Sequence, residues 1–309
     1  MADLGDEIDG NRAGGIELDL SIVVVSYNTV DLLRACLASL PAACTPLVWD
    51  AWVVDNASHD GSQEMVAAEF PAVHLIANAE NAGFTKANNQ ALRRASGQVL
   101  LILNPDTEPE PGSLALMVSA LRADNTIGAV GPMLLNTDGS LQRNGRRFPT
   151  VWREFLGHAG LAALSRRAFD RRLEYGREDF AVPADVDEVS GACLMLRRDV
   201  TDRVGFMSEE FFMFYEETEW CWRIRKAGFR VQYLPAARVK HHWMASVKRD
   251  SRRMTQVLYR SARTYWRKTG GLPAQCAIEC VILIGSARNS LLHLGVWVKR
   301  QLRRARMIR

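Results

Sequence analysis

Leu20–Tyr27 reads LSIVVVSY, an almost unbroken run of β-branched residues closing on the polar triplet Ser26, Tyr27 and Asn28. A run without polar alternation predicts a strand buried on both faces, as parallel sheets require. Thr29 and Asp31 then offer caps for a helix to Leu40, which Pro41 is expected to end. Working outward, a second apolar run over Leu47–Val54 leads into the turn-rich DNASHDGS, with a helix expected over Gln63–Glu69. A short strand at Val73–Ala77, a helix near Lys86–Ala95 and a strand at Val99–Leu103 follow. Strands alternating with helices at this spacing predict a parallel, doubly wound α/β sheet. Ligands bind beyond the carboxyl ends of such strands, and here those ends carry SYN, DNAS and NPD.

Past a helix at Ser113–Arg122 the pattern changes. Ile127–Leu135 followed by NTDGS predicts a strand and hairpin turn, and Val151–Ala181 is basic, with patchy helical character. Val186–Arg197 reads as one strand broken near Gly191, Glu216–Ala227 as a helix closed by Gly228, and Val231–Leu234 as a strand. From Arg252 onward the chain reads as helical.

Charge is distributed unevenly. Lys248–Arg309 carries 15 Lys and Arg against Asp250 and Glu279, a net +13, while the preceding residues carry 24 bases against 33 acids, a net −9. An acidic body with a basic tail points to an anionic surface for the tail, and the scarcity of interleaved aromatics there favours lipid over nucleic acid. The apolar stretch Ala274–Val298 is interrupted by Glu279, Arg288, Asn289 and His293, which argues against a membrane span. An amphipathic helix lying in the interface, anchored by Lys299, Arg300, Arg303, Arg304, Arg306 and Arg309, is the expected arrangement; packing on the domain is the alternative. Cys36, Cys44, Cys193, Cys221, Cys276 and Cys280 show no zinc or redox spacing, so reduced thiols in a cytoplasmic protein are expected. Met1–Asp19 has no apolar core for a signal peptide, and residues 1–18 read as a disordered tail.

Several polar segments could carry chemistry. Asp106, in LNPD just past a buried strand, offers a hard oxygen ligand to Mg²⁺ or Mn²⁺, or caps a loop. Asp55, Asn56 and Ser58 could read a nucleoside or form an Asx turn; Asn81, Gly83 and Asn88 surround a helix start, where backbone N–H groups favour anions. Glu216, Glu217 and Glu219 crowd one helical turn, a repulsion that the helix dipole partly offsets, and Glu219 with Arg223 forms an i,i+4 surface pair. Trp220 and Trp222 would pack along this helix, and His241 and His242 follow the last expected strand.

Taken in order, VVVSYN, VVDNASHDGS, NAGFTKANN, LILNPD, VSGACLMLRR and FFMFYEETEWCWRIRKAGF resemble the family-2 inverting glycosyltransferases of GT-A fold, especially their rhamnosyltransferase-like branch. The resemblance runs from Leu20 to about His242. It implies an α/β, Rossmann-like, mostly parallel sheet flanked by helices over residues 19–247, with a C-terminal helical appendage over 248–309. By that resemblance Ser26, Tyr27, Asn28, Asp55, Asn56 and Ser58 would hold the nucleoside. Asn81, Gly83, Asn88 and Asn104 would line the donor side, and Gly191, Ala192 and Trp220 the acceptor side. Asp106 matches the last acid of the metal-binding DxD motif, whose first Asp is replaced here by Asn104, and His241 matches a histidine completing that site. Glu217 matches the catalytic base of the family's ED pair, longer than the usual Asp by one methylene, with Glu216 the rival.

The implied reaction moves a sugar from a nucleotide-diphosphate donor to an acceptor hydroxyl with divalent-metal help. Deoxythymidine-diphosphate (dTDP) rhamnose is the favoured donor and a uridine-diphosphate sugar the alternative. A glycan or lipid-linked saccharide at the inner face of the cell membrane is the implied acceptor. Of the competing readings, a nucleotide-sugar pyrophosphorylase is disfavoured because VSYNTVDLL lacks a Gly-rich basic loop. A catalytically inactive nucleotide-sugar-binding scaffold would be distinguished by affinity without release of nucleoside diphosphate.

Overall fold

The computed structural model describes residues 17–159, 161, 181–242 and 251–288. Strand β1 (Leu20–Ser26) lies between β2 (Trp49–Asp55) and β4 (Val99–Leu103), parallel to both, and β3 (His74–Ala77) extends the parallel set beyond β2. The β-branched run has a simple cause. Leu20, Ile22 and Val24 face one buried cluster with α1 (Val30–Cys44) and α4 (Ser113–Ala123), while Val23 and Val25 face another with α3 (Phe84–Leu92). Each fully buried Val or Ile contributes on the order of 1.5–3 kcal/mol, and β1 spends no position on solvent.

The sheet becomes mixed on the other side. β9 (Cys193–Arg197) runs antiparallel between β4 and β6 (Ile127–Leu135); β10 (Arg230–His241) follows parallel to β6, and β5 (Thr107–Pro109) closes the edge antiparallel to β10. Being antiparallel, β9 delivers its N-terminal end, not its carboxyl end, to the edge where β1, β2 and β4 finish. Asn104 N donates to Ala192 O at 2.9 Å across that edge. The hairpin expected after β6 forms, with β7 (Leu141–Gln142) pairing back on it.

Four expectations need correction. Helix α1 runs through Pro41 to Cys44: the proline falls in the last turn, where Ala43 and Cys44 are buried and Thr45 Oγ1 donates to Pro41 O at 3.0 Å. The single strand expected over Val186–Arg197 is two, because β8 (Ala184–Val186) pairs with β10 whereas β9 pairs with β4 and β6. The last strand continues far past Leu234, through a register shift between Leu234 and Arg238, and so carries His241 inside the sheet. The Glu219–Arg223 pair is not at the surface: Glu219 is buried, and Arg223 also donates to Phe206 O at 2.9 Å, tying α7 (Glu216–Lys226) to the loop after α6 (Arg198–Val204).

The C-terminal segment is helical as expected. Helices α8 (Ser251–Thr269) and α9 (residues 272–288) form a pair whose inner faces bury Tyr259, Ala262, Tyr265, Trp266, Ile278 and Ile282 against Phe211 of the main body. The apolar stretch placed at the interface on sequence grounds is thus packed on the domain by one face over its described part, while Leu272, Leu283 and Ile284 stay exposed. Among the described residues no helix is long and apolar enough to cross a membrane. The tail at 1–18 is all but two residues outside the described part, as are most of the basic 151–181 segment and the Lys299–Arg309 cluster. The described cysteines are free, with Cys276 and Cys280 exposed.

Close approach of backbone sets one glycine. A Cβ at Gly97, just before β4, would lie 2.5 Å from Ser21 N and 2.7 Å from Leu20 C. Neither atom can move without shifting β1, so Gly97→Ala should cost about 1–3 kcal/mol in denaturant unfolding. A loss under about 0.5 kcal/mol would show that the β1–β4 edge tolerates displacement.

Candidate active site

The carboxyl-end edge of the sheet opens into a cleft of about 480 Å³, within the range of small-molecule sites. Tyr27, Asn28, Asn56, Asn81 and Gly83 line it on the side of β1–β3; Asn104, Asp106 and His241 lie at one end, and Gly191, Ala192, Glu216 and Glu217 line the opposite wall. Most of the residues singled out from sequence therefore converge.

Loop-to-loop hydrogen bonds shape the first side. Asn28, held at φ 53°, accepts from His59 N at 2.8 Å, and its own N–H donates to Ser58 Oγ at 2.9 Å. Asn56 Nδ2 donates to Gly83 O at 3.2 Å, and Asn81 Oδ1 accepts from Gly83 N at 3.0 Å. Asp55 lies beneath the cleft floor: Oδ1 accepts from Ser58 N and Gln63 Nε2, while its buried Oδ2 has no partner among the described residues. Ser26, Ser58 and Asn88 likewise shape the walls without lining them: Ser26 Oγ shares a 3.0 Å hydrogen bond with Thr29, and Asn88 Nδ2 donates to Phe84 O.

Trp220 corrects its sequence assignment. The phase of α7 turns it into the core, fully buried, with Nε1 donating to Gly205 O at 2.9 Å, so it cannot meet an acceptor.

At the far end, His241 Nε2 stands 3.3 Å from Asp106 Oδ1, both side chains buried. Nδ1 of His241 lies 2.6 Å from Gln142 Oε1. A carboxylate oxygen and an imidazole nitrogen thus meet at one buried point. A hard divalent ion that accepts imidazole nitrogen fits this donor pair, and a hydrogen-bonded far nitrogen is the usual support for a ligating histidine. Among the described residues no third His, Cys, Asp or Glu joins them, consistent with Asn104 in place of a carboxylate. Gln142 was not foreseen: the hairpin was, but its meeting with His241 depends on β10 pairing beside β6, which no local pattern shows.

The acid wall begins with two consecutive left-handed residues, Phe214 at φ 71° and Tyr215 at φ 66°, which swing the chain into the first turn of α7. Such conformations cost on the order of 1–3 kcal/mol each and persist only when neighbours over-determine them. Here Phe84 N donates to Phe212 O at 2.8 Å, Ser261 Oγ to Met213 O at 2.7 Å, and Tyr215 OH to Glu154 Oε1 at 2.7 Å.

Glu217 Oε1 accepts from Arg146 Nη2 at 3.2 Å, and Arg146 Nε lies 3.1 Å from the buried Glu188 carboxylate. Arg146, also unforeseen, is itself placed by reciprocal 3.0 Å backbone hydrogen bonds with Glu188. Glu216 is buried with Oε2 unpartnered; burial first, and the Glu217 charge second, push its carboxyl well above the usual carboxylate range. The pair is thus split: burial favours the protonated form of Glu216, while Glu217 is oriented by a guanidinium.

Residues 21–205 match the model of glycosyl transferase family 2. The chain belongs to that family. It is 30% identical over 244 residues to the N-acetylglucosaminyl-diphospho-decaprenol L-rhamnosyltransferase of Mycobacterium tuberculosis, covering 75% of this glycosyltransferase and 78% of that protein. It is 23% identical to the dTDP-rhamnosyl transferase RfbF of Shigella flexneri, covering 71% and 67% of the two chains. Among solved structures, the mannosyltransferase PcManGT of Pyrobaculum calidifontis, in complex with GDP-Man and Mn²⁺, superposes with a TM-score of 0.56 at 19% identity, covering 92% of this chain and 81% of that one. The fold is GT-A.

The split acid pair has a measurable sign. A carboxyl whose folded pKa is raised contributes stability that is complete below its unfolded pKa and lost as pH rises toward the folded one, at up to about 1.4 kcal/mol per pH unit. Glu216→Gln replaces the neutral acid by an isostere without a proton to lose. Its unfolding free energy relative to wild type should therefore climb between pH 5 and pH 8; a constant offset over that range would mean Glu216 is ionised throughout.

Proposed function

We propose that this glycosyltransferase is an inverting, divalent-metal-assisted rhamnosyltransferase that uses dTDP-rhamnose, with a uridine-diphosphate sugar as the alternative donor. The acceptor is a hydroxyl of a lipid-linked saccharide at the cytoplasmic face of the membrane. The observation that carries this reading is the gathering of Asp106, His241 and Glu217 around one cleft. The named activities of the two rhamnosyltransferase relatives support the sugar and the nucleotide. The diphospho-decaprenol in one of those names supports a lipid-linked acceptor, as do the exposed Leu272, Leu283 and Ile284 and the basic tail. The Mn²⁺ bound by the mannosyltransferase neighbour supports the metal.

Asn56, Asn81 and Tyr27 would take the nucleoside. Asp106 and His241 would hold a divalent ion, Mg²⁺ or Mn²⁺, which as a Lewis acid neutralises charge developing on the departing nucleoside diphosphate. Glu217 takes the proton of the acceptor hydroxyl as its oxygen attacks the anomeric carbon opposite the leaving group. One displacement inverts that centre and needs no covalent intermediate, in keeping with buried, unreactive Cys36 and Cys193, whose thiols burial pushes up. Arg146 keeps the extra methylene of Glu217 from letting the carboxylate wander.

With purified protein, dTDP-rhamnose and a lipid-linked acceptor, Glu217→Gln should lower kcat by about 10²–10⁴-fold with nucleotide affinity kept. Removing divalent metal with a chelator should abolish transfer reversibly. Undiminished turnover in Glu217→Gln, or a product retaining the donor's anomeric configuration, would refute the base assignment or the single displacement respectively.

A further inference from the structure

The cleft carries an electrostatic mismatch. Its walls present the carboxyl groups of Asp106 and Glu217, yet a nucleoside diphosphate is a polyanion. Arg146 does not itself line the cleft; its guanidinium sits between Glu188 and Glu217. Among the described residues lining the cleft, the Lys or Arg side chain is that of Arg253, with Met254 beside it.

Arg253 belongs to the first turn of α8, outside the 21–205 span of the family model. Its placement is built rather than incidental. Ser261, two turns further on and about 12 Å along the axis, donates to Met213 O in the acid loop. Tyr259, Ala262, Tyr265 and Trp266 bury Phe211 of the same loop, and Lys268 Nζ lies 2.6 Å from Glu210. The helix that braces the turn into Glu216 and Glu217 is thereby the one that brings a guanidinium to the cleft.

We propose that Arg253 is a phosphate-binding residue of the cleft, pairing with a phosphate or diphosphate group of a bound substrate. The proposal rests on the nucleotide-sugar reading above. A guanidinium presents a planar fork matched to two phosphate oxygens, and its charge is permanent, so it offsets the carboxylate walls at any working pH. Two sources could supply the group: the diphosphate of the donor, or a diphosphate joining the acceptor saccharide to its lipid. Either would make the C-terminal helices part of the active site.

The test uses the full chain as wild type, Arg253→Gln and Arg253→Lys, with Arg263→Gln as a control for a cation on the outer side of α8 paired with Glu279. Three quantities are read: binding of dTDP with Mn²⁺, binding of thymidine, and KM for a saccharide carried on a diphospho-prenol against the same saccharide on a plain alkyl chain. Arg253→Gln should weaken one phosphate-dependent quantity by about 10- to 100-fold, with thymidine binding and melting temperature unchanged. Arg253→Lys should recover part of the loss, and Arg263→Gln should show none. Weaker dTDP binding assigns the donor diphosphate; a raised KM confined to the diphosphate-linked acceptor assigns the acceptor. The proposal is overturned if Arg253→Gln leaves all three quantities at wild-type values, or if thymidine binding falls equally with dTDP binding. Absence of both dTDP and UDP binding to the wild type would instead overturn the nucleotide-sugar reading itself.

Discussion

The site depends on an antiparallel contact three residues long. Thr107–Pro109 pairs with the end of the last long strand, matching His241 to Thr107, and His242 N donates to Asp106 O at 2.9 Å. The His241–Thr107 match joins two points of the chain 134 residues apart. It sets a carboxylate oxygen and an imidazole nitrogen 3.3 Å apart in a buried corner, the oxygen and nitrogen pair on which the proposed divalent-ion site rests.

The opposite wall is governed by strain rather than by pairing. Two residues in the left-handed region turn the chain so that Glu216 and Glu217 enter the first helical turn together, where the helix dipole tempers their repulsion. Their environments then diverge: one carboxyl is buried against its neighbour's charge, and the other meets a guanidinium. The helices at the C-terminal end hold this turn from behind through Phe211, Met213 and Tyr215. The C-terminal appendage is thus structurally continuous with the acid wall.

Much of this was legible in the chain. The β-branched runs marked the central strands because a strand buried on both faces tolerates no polar alternation, and the polar clusters after them marked the sheet edge that became the cleft. Asp106, Glu217 and His241 each looked ordinary alone, and gained meaning from their colinear order with a known family. What stayed hidden depended on register and phase. Gln142 and Arg146 reach the site through a hairpin whose partner strand is far away in sequence. Trp220 was assigned to the acceptor side by the resemblance, whereas the reading of its helix alone had it packing, as it does. Pro41 was read as a stop and the last strand as ending at Leu234, yet packing around Cys44 and a register shift beyond Leu234 carried the backbone past both.

The most direct test of the cation corner is pulsed electron paramagnetic resonance of Mn²⁺ bound to this glycosyltransferase in the presence of dTDP. Nitrogen coupling from an imidazole should be present in the wild type and vanish in His241→Ala, while Asp106→Asn should weaken Mn²⁺ binding itself. A bound Mn²⁺ without nitrogen coupling, or a spectrum unaltered by His241→Ala, would contradict the account.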